Sequence, residues 1–260
     1  MAGVVSLALS ACVSDGGAKG NAGGRPRSKQ ADVATLRGRA NELWTARKDE
    51  NWQFAFGFED PAERKEWELV KYEEWQKTNF PFKVLSFELG GVDVDDDLGW
   101  VEVNYNSRVR KFPDVPPRDA SMWQRWHRVD GAWYPVHPRY LDQYPEPPTR
   151  RDAAQEVRLR TRFLESFECR KTRDWKHMWE LLDPRDRKES KPEDLAEIEE
   201  INEYRSCQVK WVEAINTQGR VLAVYERKIA DPNLKTMKPM FNEEMEKWVL
   251  FEGEWYRDLK

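Results

Sequence analysis

The sequence has no apolar run long enough to cross a membrane and no large excess of either charge. A membrane-spanning helix needs about 20 predominantly apolar residues, whereas charged residues make up 35% of this 260-residue chain. Lys and Arg number 43 against 47 Asp and Glu, for a net charge of -4. Proteins that bind nucleic acid generally carry a basic surplus on one face. The composition therefore excludes a transmembrane helix and argues against a nucleic-acid partner.

Histidine and cysteine are scarce, with three residues of each. The histidines are widely separated and form no metal-binding motif; they are His127, His137 and His177. The aspartate cluster at residues 93–97 lacks the glycine and glutamate spacing of a calcium loop and predicts a solvated turn. The chain also lacks a nucleophile elbow and a phosphate-binding glycine loop. We therefore expect no metal site and no cofactor.

The beginning of the sequence resembles a bacterial lipoprotein signal. Leu9, Ser10, Ala11 and Cys12 have the form of a lipobox behind a short apolar stretch. The resemblance implies cleavage before Cys12 and lipidation of its thiol. Residues 13–31 contain five of the 14 glycines and are typical of a flexible tether. We expect residues 1–30 to form a signal and tether, with an ordinary N-terminal segment as the alternative.

The rest of the chain contains an internal repeat. A shift of 123 residues lays 52–61 on 175–184 and Arg47 on Arg170, and shifts of 120 and 122 align later segments in the same order. The later matches pair Gly99, Val101, Tyr105, Trp126, Gly131 and Trp133 with Gly219, Val221, Tyr225, Trp248, Gly253 and Trp255. Small changes of offset are what loop insertions produce, so we interpret the repeat as two homologous domains.

Five prolines between the copies indicate the domain boundary: Pro135, Pro138, Pro145, Pro147 and Pro148. They predict an extended, partly polyproline-like connection. The predicted domains are residues 31–138 and 150–260, joined by a linker at residues 139–149.

Each copy opens with helical periodicity and closes with strand periodicity. Leu36, Ala40 and Leu43 fall at helical spacing in the first copy. Later residues alternate between apolar and polar around turns such as Asp130-Gly131. Helices followed by an antiparallel meander predict an α+β fold, with helices covering one face of a curved sheet in each copy.

The order of elements and the terminal hairpins at residues 126–134 and 248–256 resemble the nuclear transport factor 2-like superfamily. This resemblance implies two tandem cone-shaped domains, each with a pocket at the open end of the cone. The superfamily includes isomerase-like and dehydratase-like enzymes as well as many non-catalytic domains, so the fold alone does not assign a function.

Enzymes of this fold place an aspartate or histidine inside the cone, and the resemblance makes His127 and Asp130 the candidate catalytic residues. The alternative for Asp130 is a structural role in the turn with Gly131.

Cys169 and Cys207 are the two cysteines of the predicted domains, and an oxidising envelope would allow them to form a disulfide. Sequence matching sets Ala46 and Phe82 at these positions in the first copy. Two free thiols are the alternative.

Six of the 13 tryptophans recur as pairs in the two copies, which favours a role in core packing: Trp52 with Trp175, Trp126 with Trp248 and Trp133 with Trp255. Among the tryptophans outside these pairs, four are the candidates for exposed contacts, with ordinary packing as the alternative: Trp67, Trp75, Trp100 and Trp123.

These observations favour a lipid-anchored protein of the bacterial cell envelope with a non-catalytic binding or scaffolding role and an envelope protein as its partner. The alternatives are an isomerase or dehydratase type of enzyme and a carrier of an apolar ligand. An enzyme predicts a polar cone with acid–base residues, a carrier predicts an open apolar cone, and a scaffold predicts filled cones with an exposed apolar patch.

The lipoprotein interpretation predicts that Cys12→Ala releases the protein from the membrane into the soluble envelope fraction. The thermal unfolding midpoint should not change, because the substitution lies outside the predicted domains. Cell fractionation with immunoblotting measures the release, and continued membrane association of the variant would remove the basis for the anchor.

Overall fold

The computed structural model describes residues 28–230 and 237–259, and these form two units in tandem. The first unit contains α1 (Lys29–Lys48), α2 (Trp52–Phe56), α3 (Pro61–Glu66), α4 (Leu69–Asn79), β1 (Phe82–Asp95), β2 (Leu98–Val109), β3 (Arg118–Val129) and β4 (Ala132–Pro135). The second contains α5 (Ala153–Thr172), α6 (Trp175–Glu180), α7 (Pro192–Glu199), β5 (Asn202–Ile215), β6 (Gln218–Ile229), β7 (Met240–Phe251) and β8 (Glu254–Asp258). The predicted signal with Cys12 lies outside the described residues.

Each unit is an α+β fold with its own four-stranded antiparallel sheet. The strand orders are β1-β2-β3-β4 and β5-β6-β7-β8, so every strand pairs with its neighbour in sequence. The long helix α1 packs against β1, and α5 packs against β5. The predicted fold class is therefore confirmed. No helix within the described ranges is long and apolar enough to span a membrane.

The two sheets share one register, which confirms the internal repeat. Gly99 pairs with Trp126 in the first sheet, and Gly219 pairs with Trp248 in the second. The first strand of each sheet is also irregular at matching places, between Val84 and Ser86 in β1 and between Tyr204 and Ser206 in β5.

The register corrects one match made from the sequence. Cys207 pairs with Tyr225 in the second sheet, and Phe87 pairs with Tyr105 in the first. The residue equivalent to Cys207 is therefore Phe87, and the assignment of Phe82 is wrong. Apolar residues occur at many positions along β1, so sequence similarity alone could not fix the register.

The core of each unit forms where the long helix crosses the sheet at a glycine. A β-carbon at Gly99 would lie 2.5 Å from Leu36 Cδ2, and one at Gly219 would lie 2.5 Å from Leu159 Cδ2. Both leucines are fully buried. The absence of a side chain at these glycines lets the helix approach the strand closely.

The segment between the units differs from the extended connection predicted for it. It contains two 3₁₀ helices, Pro138–Gln143 and Pro148–Arg150. Proline fixes φ near -65°, which suits the first position of a helical turn as well as an extended chain.

The linker is also bound to both units. The indole nitrogen of Trp100 donates to the Pro145 carbonyl at 3.0 Å. On the other side, Arg220 donates to the Asp142 carbonyl at 2.7 Å, and the Glu146 amide donates to the Glu213 carboxylate at 2.5 Å. These contacts make the linker a packed element between the two sheets.

Gly99→Ala should lower the free energy of unfolding by about 1–3 kcal/mol, because the new methyl group would overlap Leu36 and crowd Trp133. The matched control is Gly38→Ala in the exposed part of α1, where a β-carbon would meet nothing within 4 Å. That variant should gain about 0.5–1 kcal/mol from its helix propensity. Urea unfolding followed by circular dichroism measures both, and equal stability of the two variants would contradict the packing described.

Candidate functional site

The first unit contains an open cavity of about 320 Å³ between its helices, its sheet and the start of the linker. Aromatic side chains dominate the wall: Trp44, Trp67, Tyr72, Trp75, Tyr105 and Trp123. At the rim, Trp75, Phe82 and Met122 are each more than a third exposed. Cavities of this size with an apolar wall are typical of small-molecule sites.

The backbone around α3 and α4 places the aromatic wall. Asp60 caps α3 by accepting from the Ala62 amide at 2.6 Å. The helix ends at Glu66, and the next residue, Trp67, has extended backbone angles. The Trp67 ring packs edge-on against the ring of Trp75 in α4, with 5.9 Å between the ring centroids. The break between α3 and α4 thus turns two tryptophans toward one space.

Donors from the chain itself engage the carboxylates in the cavity wall. The Tyr72 hydroxyl donates to Glu59 at 2.9 Å, and Arg139 pairs with Glu63 at 2.5 Å. Burial raises the pKa of Tyr72, with Glu59 adding to the effect, so the phenol stays neutral. These carboxylates are therefore held by hydrogen bonds from the first unit and from the start of the linker.

Arg47 is the basic group of the wall that lacks such a partner. Among the described residues, no carboxylate oxygen lies within 4.0 Å of its guanidinium nitrogens. Its guanidinium carbon lies 5.3 Å from the centre of the Trp44 ring. Burial lowers the pKa of Arg47, although Tyr72 and Glu59 act in the opposite direction. Arg47 remains charged, because arginine does not lose its proton in proteins.

The matching interior of the second unit holds a network of hydrogen bonds and ion pairs. Arg170 contacts Glu246 at 2.7 Å and donates to the Tyr225 hydroxyl at 3.0 Å, and Tyr225 donates to Glu246 at 2.6 Å. Burial alone would raise the pKa of Glu246, but Arg170 and Arg257 outweigh it and hold the pKa at about 2. Glu246 is therefore ionised at neutral pH.

Further groups complete the network. Glu199 lies 3.7 Å from Arg170 and 3.6 Å from Arg257, and it accepts from the Tyr204 hydroxyl at 2.7 Å. The Tyr204 ring packs against Tyr225 at 5.7 Å between centroids. Two arginines and two glutamates thus balance in charge inside the second unit.

The two interiors differ at equivalent positions of one fold. Helices α4 and α7 begin 123 residues apart, and β3 and β7 begin 122 apart, which sets the correspondence. The pairs, first unit before second, are Arg47 and Arg170, Gln76 and Glu199, Val84 and Tyr204, and Gln124 and Glu246. The arginine is present in both units, whereas both glutamates become neutral glutamines and the tyrosine becomes a valine in the first unit.

The internal repeat aligned Arg47 with Arg170, but the sequence did not predict that, of these two arginines, only Arg170 has acidic partners at ion-pair distance among the described residues. The change from Glu246 to Gln124 at a repeated position was the available signal. It became interpretable only when the structure placed these side chains beside the arginines.

The structure places the two candidate catalytic residues away from the cavity wall. His127 lies between Asp60, at 3.0 Å, and the Tyr144 hydroxyl, at 2.8 Å. Burial lowers the pKa of His127, and Asp60 only partly offsets this effect. Asp130 is exposed in the β3–β4 turn with φ of 50°, followed by Gly131 at 82°. His127 and Asp130 therefore do not form a shared site.

Cys169 and Cys207 are free thiols in the structure, as in the alternative to a disulfide. Burial raises the pKa of each thiol to about 11. Both are protonated at neutral pH and are poor nucleophiles.

The non-recurring tryptophans divide into two groups. Trp67, Trp75 and Trp123 line the cavity. Trp100 is 1% exposed and is covered by the linker, so it has the packing role. Across the described part of the chain, no cluster of three or more His, Cys, Asp or Glu side chains could hold a metal ion.

No family model matches the chain, and no characterised protein matches it in sequence. Among solved structures, a SEC-C motif containing protein from Rhodopseudomonas palustris is 18% identical, with 43% of this chain and 79% of that chain covered and a TM-score of 0.31. An Ntf2 like protein involved in plasmid conjugation is 11% identical over 83% of this chain and 94% of that one, with a TM-score of 0.26. Membership of the nuclear transport factor 2-like superfamily stays a prediction.

Glu246→Gln should lower the free energy of unfolding by about 3 kcal/mol, because Arg170 would lose its principal buried counter-charge. The pKa of Glu246 is below its ordinary value of 4.5, so its contribution is complete above pH 4.5 and is lost as the pH falls toward 2. The control is Glu243→Gln, an exposed residue of the same strand. Urea unfolding at pH 7 and pH 3 measures the effect; a variant as stable as the control at pH 7 would contradict it.

Proposed function

We propose that this protein is a non-catalytic binding protein that holds a small apolar ligand in the cavity of its first unit. The observation that carries the proposal is the open cavity of about 320 Å³ with its aromatic wall. Burial of an apolar ligand against such a wall is favourable by about 25 cal/mol for each Å² removed from water. This function corresponds to the carrier alternative of the sequence analysis.

The arrangement of polar groups supports binding over chemistry. General acid–base catalysis needs a titratable group within hydrogen-bond reach of the reacting atom. Glu59 and Glu63 in the wall are engaged by Tyr72 and Arg139. His127 is held between two side chains outside the wall. His137, the histidine that lines the cavity, accepts from the Arg139 amide through Nδ1 at 3.3 Å.

In this proposal the first unit binds the ligand and the second unit has a structural role. The second unit, whose interior is filled by its charge network, serves as a scaffold and as a surface for an envelope protein partner. The packed linker joins it to the ligand-binding unit.

Lipidation at Cys12 is the remaining part of the proposal and rests on the lipobox at residues 9–12. An acylated cysteine would hold the protein at the envelope membrane, with the tether predicted from residue 13 onward between the anchor and the first unit. Apolar molecules partition into membranes, so the anchor would keep the cavity near a source of ligand.

The test uses N-phenyl-1-naphthylamine, a neutral fluorescent probe, titrated into the full chain. We expect saturable binding with enhanced fluorescence and about tenfold weaker affinity for Trp75→Ala, which removes one aromatic ring from the cavity rim. The matched control is Phe241→Ala in the second unit, a residue that is 72% exposed. Absence of saturable binding, or equal loss in both variants, would refute the proposed site.

A further inference from the structure

We infer that the ligand of the first unit is an apolar organic carboxylate whose head group pairs with Arg47. This inference rests on the proposed function and adds the chemical class of the ligand. Its basis is the comparison of two equivalent interiors. In the second unit glutamates of the chain pair with the buried arginine, and in the first unit the equivalent arginine has no such glutamate.

The charge balance of the second unit shows what an arginine at this position requires. Arg170 is 2.7 Å from Glu246 and 3.7 Å from Glu199. A buried charge without a partner is costly, so such groups are normally paired. In the first unit both acidic positions carry neutral amides, Gln76 and Gln124. Among the described residues the chain therefore offers Arg47 no carboxylate within 4.0 Å, although Glu59 acts on its charge from farther away. A bound anion in the cavity would supply a carboxylate at ion-pair distance.

Gln124 does more than leave the charge unpaired. Its Oε1 accepts from the Trp44 indole nitrogen at 2.8 Å, and the Arg47 guanidinium lies near the same indole ring. The first unit thus uses Gln124 to fix Trp44, while Arg47 remains available in the cavity wall.

The cavity of the first unit can admit a ligand because a smaller side chain stands where the second unit has a tyrosine. Val84 lines it at the position where Tyr204 packs in the second unit. A guanidinium binds a carboxylate through two parallel hydrogen bonds, which fixes the orientation of the head group. The apolar body would then extend along the tryptophans toward the exposed rim.

The wall also limits where the charge can lie. Glu59 and Glu63 line the cavity and would repel a second carboxylate placed beside them. Glu63 is paired with Arg139 and Glu59 accepts from the Tyr72 hydroxyl. Neither carboxylate lies within 4.0 Å of Arg47, on which Glu59 acts only from farther away. A ligand with one anionic end and an otherwise apolar body fits this distribution.

The experiment measures displacement of N-phenyl-1-naphthylamine from the full chain by decanoate and by 1-decanol, which share a hydrocarbon chain and differ in charge. Arg47→Gln should weaken decanoate binding by about 10- to 100-fold and leave 1-decanol unchanged. Lys48→Gln removes the neighbouring positive charge, which lies outside the cavity wall, and should change neither affinity.

A second variant keeps Arg47 in place. Gln124→Glu introduces the acid found at the equivalent position of the second unit and still offers an acceptor to Trp44. We expect it to pair with Arg47 and to weaken decanoate binding by a similar factor. This variant also covers the case in which Arg47→Gln does not fold.

The outcomes separate the two proposals. Selective loss of decanoate binding in Arg47→Gln or Gln124→Glu supports the carboxylate head group. Unchanged decanoate binding, equal loss of both competitors, or competition by 1-decanol alone overturns the inference while the proposed binding function stands. If the neutral probe itself does not bind, the proposed function fails and the inference fails with it.

Discussion

A charged arginine near the end of the long helix is the constraint that the interior of each unit must satisfy. In the second unit, Arg170 is neutralised by Glu246 and Glu199 and is covered by tyrosine rings. In the first unit, Arg47 has no carboxylate at ion-pair distance among the described residues and lies in the wall of an open cavity. Desolvating an arginine requires a counter-charge. The second unit supplies that charge from its own chain, whereas the first unit supplies none within 4.0 Å among the described residues.

The frame around the two interiors is the same. Gly99 and Gly219 admit the long helix against the sheet at the same distance, and Trp133 and Trp255 pack beside them. The contact between the long helix and the sheet at these glycines is the same in both units and does not involve the arginine. The residues around the arginine can therefore differ between the units while that contact is kept. The second unit uses its polar interior for structure, whereas the first retains space and an available charge, which together support a binding function.

Much of this organisation could be predicted from the sequence. Repeated glycines and tryptophans indicated two copies, and periodicity indicated helices followed by an antiparallel sheet. The linker conformation was not predictable, because proline suits both extended chain and 3₁₀ turns. The match of Cys207 with Phe82 failed because apolar residues along a strand do not specify its pairing. Of the four tryptophans that the broken repeat marked as candidates for exposed contacts, three line the candidate site and the fourth is packed.

The sequence by itself determined the duplication, the α+β class and the absence of familiar catalytic motifs, because these depend on local periodicity and residue spacing. Only the tertiary structure decided which interior is open. Whether Arg47 is paired depends on Gln76 and Gln124, which lie on a different helix and on a distant strand. Whether space remains beside it depends on Val84, where the other unit has Tyr204. Electrostatic balance and packing act between side chains that only the folded chain brings within a few ångströms, so local pattern could not reveal them.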